Sequence, residues 1–287
     1  MMKRSLQIAF ASLIMLMAGC DVIDFPKLEF GTYRADLYGP PPVFEPAAAP
    51  HRKVLLEDFT GHDCGNCPNG HLKAAELLDQ YGEDIAVVSV HAGSLAAPFP
   101  PNYPNDWTTP EGQYYLLTQV GSDVMPKGRT NRLPDASVIH SPSAWPAKVA
   151  EAFAEDAEVN LQMQVSYVPD NQDLNIHVNS QWFADLTGDY RLVIMITEND
   201  IIAPQLWYNH DPEYNPEYVH EHMLRGTVTG ATGLVVASNP ESGSSQTSSY
   251  TFDWNTSWVP ENCEVVALIT EGESGRVLNV QKTYVIP

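Results

Sequence analysis

Basic residues are scarce in this chain. Fifteen Lys and Arg stand against 36 Asp and Glu in 287 residues, a formal net charge of −21. Tight nucleic-acid binding is excluded, because neutralising phosphates takes clustered Lys and Arg. Unaided attachment to an anionic membrane surface fails for the same reason. Cysteine is also sparse: four cannot form a dense disulfide scaffold in a chain this long, so each must be read singly. No apolar run approaches the ~20 residues that a lasting bilayer span requires. A disordered composition is absent as well. With 44% hydrophobic and 18% charged residues the chain can fill real cores, and its length suits two domains of roughly 100–200 residues.

The N-terminus carries an address. Lys3 and Arg4 precede a short apolar run, Ile8 to Met17, which ends in Leu16-Met17-Ala18-Gly19-Cys20. A run this short is a signal h-region, not a membrane helix. Small residues directly before a cysteine resemble a bacterial lipoprotein signal, and the plainer alternative is an ordinary secretory signal with a chance cysteine. In the lipoprotein reading residues 1–19 are removed and Cys20 is lipidated, so the chain is anchored by lipid. Residues 20–50, with Pro26, Pro40, Pro41, Pro42, Pro46 and Pro50, read as an extended tether that lifts the folded part off the membrane.

Regular structure begins near residue 51. Lys53 to Phe59 and Asp84 to His91 are short apolar runs suited to buried strands. Between them Cys64-Gly65-Asn66-Cys67-Pro68 opens a helix over about Pro68 to Tyr81, with proline near its start, where a missing N–H costs nothing. Strand, helix, strand in this span predicts a parallel βαβ unit. Gly93 to Pro110 is a Pro-rich, aromatic excursion. A helix over Glu111 to Val120 follows, then Met125-Pro126, strands near Gly128 to Arg132 and Ala136 to His140, and a helix from about Ser141 or Ser143, on which Trp145, Val149 and Phe153 share a face. After Asp156 the hydrophobic period falls to two. Val159, Leu161, Met163, Val165 and Tyr167 alternate with polar residues, and about seven strands up to Val285 predict an all-β, immunoglobulin-like sandwich over 157–287.

The Cys-x-x-Cys pair carries the sharpest chemistry. A cysteine at a helix N-terminus meets unpaired N–H groups and the positive end of the dipole, which favour its thiolate. The spacing lets one sulfur resolve a mixed disulfide formed by the other. Cys64 is then the exposed attacking sulfur and Cys67 the buried resolving one. Two other readings stay open: an inert disulfide staple, and half a zinc site completed by His62 or His71. Haem attachment is excluded, since Pro68 occupies the position of the required His. Cys263, just before an apolar strand, reads as a buried small hydrophobe.

Over roughly residues 51–156 the element order resembles the thioredoxin fold. Asp58-Phe59 stand at that fold's spacing before Cys64, and Met125-Pro126 sits where its cis-proline belongs. The resemblance implies that Asp58 is a buried proton acceptor and that Pro126 shapes substrate contact. Asp63 replaces the usual aromatic before the first cysteine, and Lys127 stands where Thr is common. A wider pattern is similar to the outer-membrane-protein-28-related lipoproteins of Gram-negative bacteria: Val54 to Gly61, Cys64 to Gly70, Asn131-Arg132, His220-Glu221-His222-Met223-Leu224-Arg225, and Val277-Leu278-Asn279-Val280-Gln281. It implies a lipid-anchored α/β thioredoxin-like domain (51–156) with an appended β-domain at the outer membrane. The expected function is thiol-disulfide exchange on envelope proteins without a dissociable cofactor. The alternative is a non-enzymatic surface binding or adhesion lipoprotein with a structural disulfide. The expected partners are the outer membrane through Cys20 and either envelope protein thiols or a surface ligand, with no nucleic acid.

Two further groups deserve naming. His220 and His222 would share one face of a strand, near His210, Asp211, Glu213 and Glu217, a weak metal candidate beside the plainer reading of a hydrogen-bonded strand end. Phe99, Tyr103, Trp107, Tyr114 and Tyr115 could bind glycans or peptides, but packing onto the domain is their plainer role. No P-loop, dinucleotide fingerprint or nucleophile elbow is present.

Overall fold

The structure, a computed structural model, describes residues 31–272 and 274–287. The expected signal segment and the expected lipidation site, Cys20, lie outside the described residues. The molecule is mostly β-sheet with few helices. In chain order it runs α1 (Ala35–Tyr38), β1 (Val54–Thr60), α2 (Cys67–Tyr81), β2 (Ile85–His91), α3 (Pro110–Gln113), β3 (Lys127–Thr130) and α4 (Trp145–Phe153). Ten more strands follow: β4 (Val159–Val168), β5 (Asp173–Trp182), β6 (Asp189–Glu198), β7 (Ile201–Leu206), β8 (Tyr214–His220), β9 (Met223–Thr227), β10 (Leu234–Ser238), β11 (Ser245–Asp253), β12 (Cys263–Glu271) and β13 (Val277–Tyr284).

β1 and β2 pair in parallel and are joined by α2, so the βαβ unit forms as the periodicity predicts. β3 returns antiparallel to β1, placing Glu57 opposite Arg129 and Asp58 opposite Gly128. The second strand expected at Ala136 to His140 is reduced to a single bridge, Gly128 to His140. Gly128 is required there. A Cβ on it would lie 2.7 Å from both the Glu57 carbonyl and the Trp145 ring, and Trp145 is wholly buried where α4 meets the sheet.

No break in pairing falls at residue 156. The strand order β13-β12-β6-β9-β2-β1-β3 is one sheet, with β10 added alongside β6. The seam lies at β2 and β9, where Ser89 N donates to the His222 carbonyl at 2.8 Å. Asn131 ties the halves a second time. Its N–H donates to the Leu55 carbonyl, and its own carbonyl accepts from Val277 N, both at 2.9 Å. The central strands are therefore apolar on both faces. Leu192, Ile194 and Ile196 of β6 face a core shared with β4, β5 and β11, whereas Val193 and Met195 join Leu55, Val88, Tyr115 and Leu268 in a core built from both halves. α2 and α4 cover the remaining face of β1 and β2 through Ala74, Leu77, Trp145 and Val149. Truncating one such buried Leu to Ala costs about 2–5 kcal/mol.

The proline-rich segment corrects its expectation. Residues 33–51 do not stand off as a tether but run along the sheet of β4, β5 and β11. Arg34 pairs with Asp173 at 2.7 Å and Asp253 at 2.6 Å, Tyr38 OH donates to Asp173, and Ala47 and Gln181 exchange two hydrogen bonds. Proline forbids a ladder strand here, but side-chain acceptors replace the ladder.

Candidate functional site

The βαβ turn delivers the two cysteines to the start of α2. Cys67 is its first residue and Pro68 its second, while Cys64 lies in the preceding turn, closed by Cys67 N to the Cys64 carbonyl at 3.0 Å. The pair forms a disulfide with Cα atoms 5.4 Å apart. In this oxidised form the pair offers no thiolate to a metal. The cis Met125–Pro126 bond sits over the first turn of α2, where a Cβ on Gly70 would be 3.5 Å from Pro126.

Cys64 differs from expectation: it is 5% exposed, and Cys67 is fully buried. The cause is a hairpin, β7 and β8, that belongs to neither large sheet and bends back over the cysteine turn. Leu206 N donates to the His62 carbonyl at 2.8 Å and Tyr208 N to the Gly65 carbonyl at 2.7 Å. The wholly buried Gln205 donates from Nε2 to the carbonyls of Cys64 (3.1 Å) and Gly61 (3.3 Å). The Tyr208 ring lies on Gly65 so closely that a Cβ there would be 2.6 Å from three ring atoms.

Beneath α2 lies a polar interior. Asp58, buried in β1, has its Oδ1 without a hydrogen-bond partner, and burial pushes its carboxyl up to about 8. Its Oδ2 lies 3.8 Å from Nε2 of His71, which stands one helical turn after Cys67. His71 Nε2 is hydrogen-bonded to Thr60 Oγ1 at 2.8 Å, and its Nδ1 to Tyr218 OH of the hairpin at 2.7 Å. Burial, with smaller contributions from His220 and His222, holds His71 down at about 3. His91 and His220 extend the cluster, with ring centroids 5.4 Å apart. On the neighbouring position of β1, Glu57 answers a different environment. Burial would raise it, but Arg129 and Arg132 outweigh burial and hold it down at about 2, with Arg129 Nε at 2.6 Å and Arg132 Nη2 at 2.8 Å.

The structure separates the two candidate metal histidines. His220 ends β8 and is buried, whereas His222 sits in the following turn at φ 55°, with Nδ1 3.5 Å from Glu264. Among the described residues no group of three or more His, Cys, Asp or Glu could hold a metal ion. The aromatic excursion packs largely inward. Tyr103 stacks on His62, Tyr115 is buried, and Trp107 lies under the Arg225 guanidinium, while Phe99 remains exposed. Cys263 is buried, and burial pushes its thiol up. No helix among the described residues is long and apolar enough to cross a membrane.

Sequence reading missed the hairpin, and with it Gln205, Tyr208 and Tyr218. Its only local signal was Ile201-Ile202 and the spaced aromatics Tyr214 and Tyr218, interrupted by Pro204 and Pro216.

No curated protein sequence matches this chain. Among solved structures, HBP35 of Porphyromonas gingivalis is similar at 20% identity and a TM-score of 0.62, over 81% of this chain and 75% of that one, which is a likeness of fold. A domain of the outer membrane lipoprotein Omp28 from Porphyromonas gingivalis aligns at 19% identity and a TM-score of 0.32, over 46% of this chain and 90% of that one. The family described as outer membrane protein Omp28 matches residues 113–286, more than half of the chain. That stretch includes the hairpin that caps the disulfide, and on this match the chain belongs to the Omp28 family of outer membrane proteins.

Proposed function

We propose that this chain is an outer-membrane lipoprotein, anchored through an acylated Cys20, that exchanges disulfides with envelope proteins. In this reading residues 51–156 are a thioredoxin-like domain and residues 157–287 an immunoglobulin-like sandwich, the two sharing one sheet. The observation that carries it is the pairing of a Cys64–Cys67 disulfide at a helix start with a buried carboxyl beneath the same helix, Asp58, whose Oδ1 has no hydrogen-bond partner. A carboxyl held near neutral titration is suited to general acid–base work. A thiolate of a partner dithiol attacks Cys64, the Cys64–Cys67 bond breaks, and Cys67 leaves with the electron pair and takes the proton of Asp58. The partner's second thiolate then attacks the mixed disulfide and releases Cys64. The partner ends as a disulfide and this pair as a dithiol, and the reverse sequence oxidises it. Pro126, on the first turn of α2, would border the approaching partner.

Burial of both cysteines beneath Tyr208 favours a second reading, in which the disulfide is a staple and the molecule only binds. Trapping separates the two. Cys67→Ser, expressed in the envelope, is expected to accumulate mixed disulfides through Cys64. Their absence from a folded variant removes the exchange reading.

A further inference from the structure

The capping hairpin covers the disulfide and also bonds a histidine that stands beside the buried carboxyl. Tyr218, on β8, meets His71 Nδ1 at 2.7 Å, and His71 Nε2 faces Asp58 Oδ2 at 3.8 Å beside Thr60 Oγ1 at 2.8 Å. The hairpin is otherwise fixed at this end by Gln205, Leu206 and Tyr208 on the cysteine turn. A cover that must lift for a protein substrate thus holds the second neighbour of the group that handles the proton.

We propose that Tyr218 is a positioning residue that fixes the tautomer of His71 with its proton on Nε2, and thereby links the closed or lifted state of the hairpin to the proton affinity of Asp58. The inference rests on the exchange reading for its consequence, though not for its geometry.

The tautomer follows from the two partners. With Nε2–H donating to Thr60 Oγ1 beside the Asp58 carboxyl, and most strongly once that carboxyl ionises, Nδ1 accepts from the Tyr218 hydroxyl. Burial raises Tyr218, with Asp58 and Glu221 adding to it, so the phenol keeps the proton it donates. His71 stays neutral, because burial, His220 and His222 all oppose its charging. The titratable groups around the pair are Asp58 from β1, His91 from β2, Tyr218 and His220 from β8, and Glu221 and His222 from the turn after it. Among them, the Nε2–H of His71 is hydrogen-bonded to Thr60 Oγ1 at 2.8 Å and lies 3.8 Å from Asp58 Oδ2, so it favours the Asp58 anion as a neighbouring dipole and not as a hydrogen-bond donor to it. With the hairpin lifted, Nδ1 loses its donor, the Nε2–H tautomer is no longer enforced, and Asp58 holds its proton more tightly. The carboxyl, already raised to about 8 by burial, then keeps its proton to higher pH while a substrate thiolate attacks Cys64, ready for the Cys67 sulfur as it leaves.

The test uses the full chain and the isosteric variant Tyr218→Phe. The ¹³C titration of the Asp58 carboxyl in the disulfide form is expected to move upward by about 0.3–0.5 pH unit, less than a full hydrogen bond is worth because Nε2 stands 3.8 Å from Oδ2. The His71 ¹⁵N shifts should change from a single Nε2–H form to a tautomer mixture. An Asp58 titration that moves by less than ~0.2 unit in a folded variant, or an unchanged tautomer, overturns the proposal. The pH dependence of the disulfide's reduction potential, in wild type and Asp58→Asn, separates the two claims. A profile indifferent to Asp58→Asn sinks the exchange reading, whereas an Asp58-dependent profile that Tyr218→Phe leaves in place sinks the coupling alone.

Discussion

If the hairpin governs access to the disulfide, a single methyl group at Gly65 should accelerate its reduction. Gly65 is not among the residues at positive φ, so alanine fits the backbone, but its Cβ would lie 2.6 Å from the Tyr208 ring. Tyr208 is 46% exposed and can yield outward. Yielding pulls on the hydrogen bond from its own N–H to the Gly65 carbonyl at 2.7 Å. Losing one such bond shifts the open–closed equilibrium by about 0.5–1.5 kcal/mol. At 1.4 kcal/mol per tenfold this is an increase of roughly 2- to 12-fold in the open fraction, with ~5-fold as the central value. The assay is pseudo-first-order reduction by dithiothreitol under native conditions, quenched with a maleimide and read by mass. Gly226→Ala is the matched control, because its Cβ meets only the Trp258 ring at an ordinary 3.7 Å. A Gly65→Ala protein that is folded yet reduced at the wild-type rate would refute the idea that the hairpin is the barrier.

Three further outcomes follow from the same interior. Asp58 is raised from its ordinary value to about 8, so the folded state binds a proton more tightly than the unfolded one. Its contribution to stability is full below the unfolded pKa of about 4 and is lost as pH rises towards 8, at about 1.4 kcal/mol per unit. His71, His91 and His220 are shifted downward and work in the opposite sense below about pH 6.5. The Asp58→Asn minus wild-type difference, measured by urea unfolding across pH 4–9, isolates the carboxyl; a flat difference would contradict its burial. Glu57→Gln leaves Arg129 and Arg132 buried against a neutral amide and should cost about 3–5 kcal/mol in the same assay. A loss below ~1 kcal/mol would mean the triad is not desolvated. Arg34→Ala removes both ion pairs that dock the proline-rich segment, so chymotryptic cleavage at Tyr38 should quicken several-fold; an unchanged cleavage rate would argue against docking.

The parts legible in the sequence are those whose signal is local. Pro68 after the second cysteine marked the start of α2, and the unbroken apolar runs marked β1 and β2, because strands covered on both faces need no alternation. The alternation from Val159 likewise marked β4, which turns one side to the core. What escaped depends on distant partners. β7 and β8 carry Pro204 and Pro216 and few buried apolar residues, since the hairpin is held by backbone carbonyls of the cysteine turn more than 140 positions away. The docking of Arg34 on Asp173 spans 139 positions and leaves no periodicity behind. Cys64 is buried against expectation for the same reason. The βαβ unit alone would expose it, and a segment from the far half of the chain covers it.

Whether the Cys64–Cys67 disulfide trades electrons with other proteins is tested most directly by its reduction potential against glutathione or dithiothreitol buffers. An exchanging pair should show a value within the span of exchange proteins, about −270 to −120 mV. A value below about −300 mV, that of a resistant structural bridge, would contradict exchange.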